Sequence, residues 1–520
     1  MDYDIVIIGA GLSGMMASAL LSRKGKRVLL LEQHKTVGGL AAGFRRKGYY
    51  FDSAMHCFMS ESTAGFYETL GIFKKLNFRP HRTTINLEGN VLHATNADEL
   101  TQELCRIFPD EREGILRFYD EKVKKFAEFI EGMTHIGNPT YYDGFKAFKK
   151  YIEMLSFVFR VGFGTLSKIS KSNGVFVNNL LKDYISERSK AYTYFSNKIS
   201  DITYKGNFEM SNYSGNWVWP FMNKYPYNGM QGMSDEFSKV VTDSGGEIIT
   251  GAKVSRIIIR NGCVAGVTYE KNGKEYDVNT LKVISAIDLK KTLLRLVGQV
   301  HIGTEFAEKL ESQEMSGAVP ILYLGVNVDR ERVRQYFGGN EEIYYVPEIK
   351  MPDDSLDNRD FYKNTSIRMS ASCLINPEHA PENKTNLQIY LPCPYAGWLG
   401  NWGTKDGHIT DEYRKIKEMI IEQVIEVVEG IIPELKDRSV IEVCELGTPF
   451  TYERYTGNSE GSHCGFTWER NKCEITGDRL GRFFNSYKGI EGLHFVGHQT
   501  GYLGGVTNAL WSAKNIAKKF

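Results

Sequence analysis

Apolar positions cluster differently in successive parts of the chain. Near the start, the buried-strand run Asp4-Ile5-Val6-Ile7-Ile8 breaks into Gly9-Ala10-Gly11-Leu12-Ser13-Gly14, and 15–24 then reads as a helix. A second buried strand, Arg27-Val28-Leu29-Leu30-Leu31, ends in Glu32 and Gln33. From 61 to 225 the spacing turns helical and aromatic. Within it, 111–131 carries Ile115, Leu116, Phe118, Tyr119, Val123, Phe126, Phe129 and Ile130 as a core stripe, and a run of rings extends from Tyr184 to Trp219. These rings suit core packing, and some suit the lining of an apolar tunnel.

A helix over 227–243 stops at Gly245-Gly246, and short strands follow at 247–250, 253–259 and 264–269, the last two joined by an Asn261-Gly262 turn. A buried strand returns at 282–288. Between 305 and 442, strands at 320–326, 366–372 and 387–391 predict an antiparallel sheet, followed by a helix at 411–432 between a Thr410 cap and a Pro433 stop. The chain closes with a strand at 493–497, a glycine turn at 501–505 and a helix at 506–518.

The opening strand, turn and helix have a steric logic. Gly9 permits the tight turn, Gly11 lets a pyrophosphate approach the main chain, and Gly14 lets helix lie close on strand. The helix N-terminus offers N–H groups and a positive dipole end to phosphates, and Glu32 is placed for the hydroxyls of an unphosphorylated ribose. The binding set read from this unit is Gly9, Gly11, Leu12, Ser13, Gly14, Glu32 and Gln33. The alternative is a glycine turn without a ligand.

Charge adds little: 64 Lys plus Arg face 63 Asp plus Glu among 520 residues, so nothing argues for a nucleic-acid partner. The eight cysteines show no C-x-x-C and are expected as reduced thiols, with no metal site. The N-terminus enters the strand without a signal-like region, and a cytoplasmic location is the expectation, with membrane association on the cytoplasmic face as a variant. No run reaches membrane-spanning length. The stretch 151–169 reads either as a monotopic helix touching a bilayer surface or as a buried helix of a substrate domain.

A second glycine-rich passage, Gly38-Gly39-Leu40-Ala41-Ala42-Gly43-Phe44-Arg45, leads to Gly48-Tyr49-Tyr50-Phe51-Asp52-Ser53-Ala54-Met55-His56. Small residues there let a backbone pass a ligand, and Arg45 is a candidate for charge near phosphate. With the first fingerprint, the passage resembles the FAD-dependent amine-oxidase-like superfamily, and within it the branch of phytoene desaturases, carotenoid isomerases and retinol saturases. A tail stretch, 448–466, is similar to one in that branch.

The resemblance implies FAD as cofactor, with Gly38, Gly39, Leu40, Arg45, Met55 and His56 along the pyrophosphate and flavin. It places Val254 and Ala286 near the adenine, and Gly497, His498, Gly504, Gly505, Val506 and Asn508 at the flavin end. A helix starting near Val506 would stabilise negative charge on a reduced isoalloxazine edge. Many members of the superfamily carry an acid where this chain has His498, which is either a proton donor or a simple replacement. His56 and Tyr502 are the substrate-side catalytic candidates, and without the resemblance His56 would read as a satisfied core or turn histidine.

The expected fold class is α/β: a Rossmann-like FAD-binding domain of the amine-oxidase type (1–60, 226–290 and 441–520) interleaved with an α+β substrate domain (61–225 and 291–440). The expected function is FAD-dependent oxidation, reduction or isomerisation at C–C bonds of a long apolar polyene, isoprenoid or unsaturated lipid, with the electron partner unassigned. Its rivals are a flavin amine oxidase and a non-enzymatic lipid-binding escort protein of the same fold.

Overall fold

The computed structural model describes residues 2–58, 60–162, 180–199, 217–350, 359–392, 404–405, 408–466, 486–500 and 505–520. A five-stranded parallel sheet is assembled from distant stretches in the order Leu493–Phe495, Val283–Ser285, Ile5–Ile8, Val28–Leu31 and Glu247–Ile249. Both faces are buried, which explains why its strands read as unbroken apolar runs. Ile5 and Ile7 pack beneath the helices Leu12–Arg23, Gly229–Asp243 and Gly505–Ala517. Val6 and Ile8 face the antiparallel strands Lys253–Arg260, Cys263–Lys271 and Lys274–Asn279 and the π-helix Lys291–Gly298.

The second sheet has seven strands in the order Ile441–Gly447, Ile321–Val326, Thr385–Tyr390, Ile367–Ser370, Glu342–Val346, Thr83–Leu87 and Asn90–Leu92. Every pair is antiparallel except Glu342–Val346 with Thr83–Leu87. Helix Asp411–Val428, capped by the Thr410 side chain, packs its buried face against this sheet. Two expectations are corrected here. Thr83–Leu87 and Asn90–Leu92 lie inside a region read as helical, and Ile441–Gly447 belongs to this sheet, so the boundary expected at 441 falls after that strand. The stripe over 111–131 forms helices Arg112–Phe118 and Lys124–Ile136 separated by a π turn at Tyr119–Val123.

Among the described α-helices, Gly144–Val161 alone has no buried residue. Phe145 (81 % exposed), Phe148, Ile152, Leu155 and Phe159 (67 % exposed) recur at helical spacing and form one apolar face in solvent. The buried-helix alternative for this stretch is therefore overturned as far as Val161, and 163–169 lies outside the described residues. Among the described residues, no helix is long and apolar enough to cross a membrane.

Candidate functional site

One cavity of about 840 Å³ is walled by residues of both sheets. It opens at the carboxyl ends of the parallel strands, where Ile8, Leu31 and Ala286 line it, as expected for a ligand crevice in an open α/β sheet. Gly9 adopts a φ of +97° and turns the chain out of the first strand. A Cβ at Gly14 would lie 1.9 Å from the Gly9 carbonyl oxygen, so only glycine lets the helix seat there. A Cβ at Gly11 would meet nothing within 4 Å and would instead intrude on the cavity side of the turn. The second glycine passage lies directly against the first: Gly38 bridges Gly11 and donates its N–H to the Ala10 carbonyl at 2.8 Å.

The carboxylate of Glu32 is nearly buried at the end of the second strand and accepts from the backbone N–H groups of Ala10 (2.8 Å) and His34 (2.9 Å). Those bonds orient it while each oxygen keeps a lone pair for a ligand hydroxyl. Helix Leu12–Arg23 has no side-chain cap, and its first residues, Leu12 and Ser13, line the cavity. Gly505, Val506 and Thr507, which open the last helix, line the same cavity. Neither helix has an acid in its first turn, so two positive dipole ends face one space. His463 and His498 also line it, each with a buried Nε2 lacking a protein partner. Burial lowers the pKa of both, His463 to about 3.

A flavin-type dinucleotide fits this donor set: glycine main chain and a helix N-terminus for phosphates, a fixed carboxylate for ribose, and a second helix N-terminus for an anionic ring edge. Of the residues expected to hold it, Gln33, Gly39, Leu40, Met55, His56 and Val254 also line the cavity. Gly497 and Asn508 stand behind the wall; Gly497 N–H bonds Ser512 Oγ at 2.9 Å and Asn508 Nδ2 reaches the His498 carbonyl at 3.5 Å. Tyr502 and Gly504 lie outside the described residues.

Arg45 is a correction. On the hairpin Gly43–Arg46/Tyr49–Asp52 it points to solvent, donates to the carbonyls of Gly48 and Glu378, each at 3.1 Å, and lies over the Tyr50 ring. The cations in the wall are instead Lys253, Lys291, Arg295 and Arg368. Of the rings expected as a tunnel, Tyr194, Phe195 and Trp217 are core, whereas Trp219 lines the cavity.

Around His56 the wall becomes a polar cluster that the sequence did not reveal. His56 Nε2 lies 2.8 Å from Oε2 of Glu342, and its ring stacks on Tyr390 at 3.9 Å. Thr83 donates its hydroxyl to Glu342 Oε1 at 2.6 Å, and Arg368 stands 3.6 Å from the same oxygen. Burial would raise Glu342, but Arg368, His56 and His81 hold it well below the usual carboxylate range. Burial would lower His56, yet Cys57 and Glu342 raise it above the ordinary imidazole value. Only the adjacency of His56 and Cys57 was visible in sequence, since Glu342 is 286 residues away.

An NAD(P)-binding Rossmann-like domain model matches residues 7–70. The fold is that of the flavin amine-oxidase type. A cyclohexylamine oxidase from Brevibacterium oxydans IH-35A superposes with a TM-score of 0.57 at 14% identity, over 100% of this chain and 99% of that one. In sequence, the chain is 24% identical to prolycopene isomerase 2 of an Oncidium hybrid cultivar, over 95% of this chain and 80% of the relative. It is 23% identical to all-trans-retinol 13,14-reductase of Danio rerio, over 89% and 77% respectively. Phytoene desaturases are among its other homologues, which bears out the branch read from the sequence.

Proposed function

We propose that this chain is an FAD-dependent oxidoreductase acting on a C–C double or single bond of a long apolar polyene. The observation that carries the reading is the convergence of two helix N-termini without first-turn acids and the buried Glu32 on one cavity that also contains His56. Bound there, FAD would accept an electron pair from the substrate carbons or, when reduced, give one to them. Gly9, Gly11, Leu12 and Ser13 would hold its diphosphate, Glu32 its ribose, and Gly505, Val506 and Thr507 the polar edge of its ring. His56, its Nε2 fixed on Glu342, would transfer the substrate proton. The apolar substrate would reach the cavity from a lipid surface, on which the exposed face of helix Gly144–Val161 would rest; Lys149 and Arg160 of that helix would favour anionic headgroups.

The decisive experiment is anaerobic. Purified protein releases FAD on denaturation; reduced protein is reoxidised by polyenes, or oxidised protein is bleached by them, and amines do neither. Bleaching by amines with no response to polyenes would overturn the reading. Glu32→Ala weakens FAD retention by ~1.5–3 kcal/mol, the worth of hydrogen bonds to a charged group, measured as the dissociation constant for FAD.

A further inference from the structure

Cys57 is half-buried and opens onto the cavity. A ring nitrogen of His56, the Cys57 sulfur and a Glu342 oxygen lie within 4.8 Å of one another, and the His81 ring stands 5.7 Å from that of His56. Such a trio can also suggest a metal. However, His56 Nε2 and Glu342 Oε2 are 2.8 Å apart, a proton-sharing distance, whereas tetrahedral ligands on bonds of about 2.0–2.1 Å sit roughly 3.3 Å apart. The other Glu342 oxygen already accepts from Thr83 and faces Arg368. The geometry is that of a relay: a buried carboxylate holds the imidazole, and the imidazole lies beside the thiol.

We propose that Cys57 is a nucleophilic thiolate site in the cavity wall that takes a soft, apolar electrophile of the α,β-unsaturated carbonyl class. The sulfur forms a C–S bond at the β-carbon as the C=C π bond breaks, and the electron pair moves toward the carbonyl oxygen. His56 delivers its proton to the α-carbon and is left neutral. The product is a thioether, no electrons are gained or lost overall, and the reverse step restores the double bond. Met55, Phe58 and Val319 give the cavity apolar walls for the chain of such a ligand, and Arg368 supplies a cation for its oxygen.

The charged and titratable groups around the pair are Asp52, His81, Tyr225, Glu342, Arg368 and Tyr390. Burial alone would raise the Cys57 thiol, but the charges of His56 and His81 outweigh it and lower it below the ordinary thiol value.

The test labels the protein as purified with iodoacetamide or trans-2-nonenal and maps adducts by mass spectrometry. At about pH 6.5, Cys57 reacts at least about tenfold faster than the half-buried Cys263 and Cys464, and its rate levels off well below the ordinary thiol range near pH 8.5. The nonenal adduct concentrates on Cys57. His56→Gln slows labelling about tenfold at that pH but not at about pH 9.5, where any thiol ionises. If that variant does not fold, the wild-type pH–rate profile decides alone. A Cys57 rate that rises only near pH 8.5, a Cys57 inert at high pH, or stoichiometric zinc that must be chelated before labelling would each overturn the proposal. No turnover is involved, so the result is independent of the redox reading.

Discussion

Two carboxylates, Asp52 and Glu342, are completely buried beside His56, and they are held in opposite ways. Asp52 ends the hairpin strand Tyr49–Asp52 and is surrounded by neutral donors: Tyr50 Oη at 2.7 Å, Tyr225 Oη at 2.6 Å and the Met230 N–H at 2.9 Å. Glu342 begins the strand Glu342–Val346 and is surrounded by cations, His56 and Arg368, with His81 beyond them. Burial dominates at Asp52 and raises it to about 6 in spite of its hydrogen bonds. At Glu342 the cations overcome burial and keep the charge. At Asp52 the neutral donors lower the value without offsetting burial, whereas at Glu342 the added opposite charge does offset it.

The largest break in this comparison is Glu342→Ala, which strands buried cations and costs about 3–5 kcal/mol of unfolding free energy in denaturant titrations. A loss below about 1 kcal/mol would mean that the cations are solvated after all. Next comes pH. The folded state holds the Asp52 proton more tightly than the unfolded state, so its contribution is full below the ordinary aspartate value and is lost as pH rises through about 6. The stability of wild type relative to Asp52→Asn should therefore fall by about 2 kcal/mol between about pH 4 and about pH 7. The Glu342 contribution runs the other way: it is present above the ordinary glutamate value and is lost as pH falls through its depressed folded value. A wild-type advantage over Asp52→Asn that grows with pH would place Asp52 in the same class as Glu342.

Smaller effects sharpen the contrast. Tyr225→Phe removes one of the donors on which Asp52 depends and costs about 1.5–3 kcal/mol, read from thermal or denaturant unfolding. Thr83→Val removes a donor from a carboxylate that keeps both its charge and its cations, and its cost is about 1.5 kcal/mol, the low end for a bond to a charged group. Equal costs for the two would remove the distinction.

The same contrast explains what the sequence could reveal. Gly9, Gly11, Gly14 and Glu32 sit in one short strand–turn–helix–strand unit, where local sterics fix their placement and the pattern is legible. Thr83 and Glu342 meet because their strands pair in parallel, across a separation that no local periodicity encodes. Spacing along a hairpin does not say where it leaves a ligand: Gly43–Arg46 runs out of the half-buried wall, so Arg45 and Arg46 are both exposed and Arg45 lies over the ring of the buried Tyr50. Helix Gly144–Val161 was ambiguous for a related reason, since an apolar stripe records what a face avoids without recording what covers it.

The edge strand Leu493–Phe495 and the helix Gly505–Ala517, which lies against the first helix, are the last parts of the sheet to emerge from the ribosome. The glycine turn can form locally, but the crevice closes only when this strand and helix have reached the first strand and helix from far along the sequence. Closing the crevice is therefore a step of high contact order, and until it is complete the sheet edges stay open to chaperones and proteases.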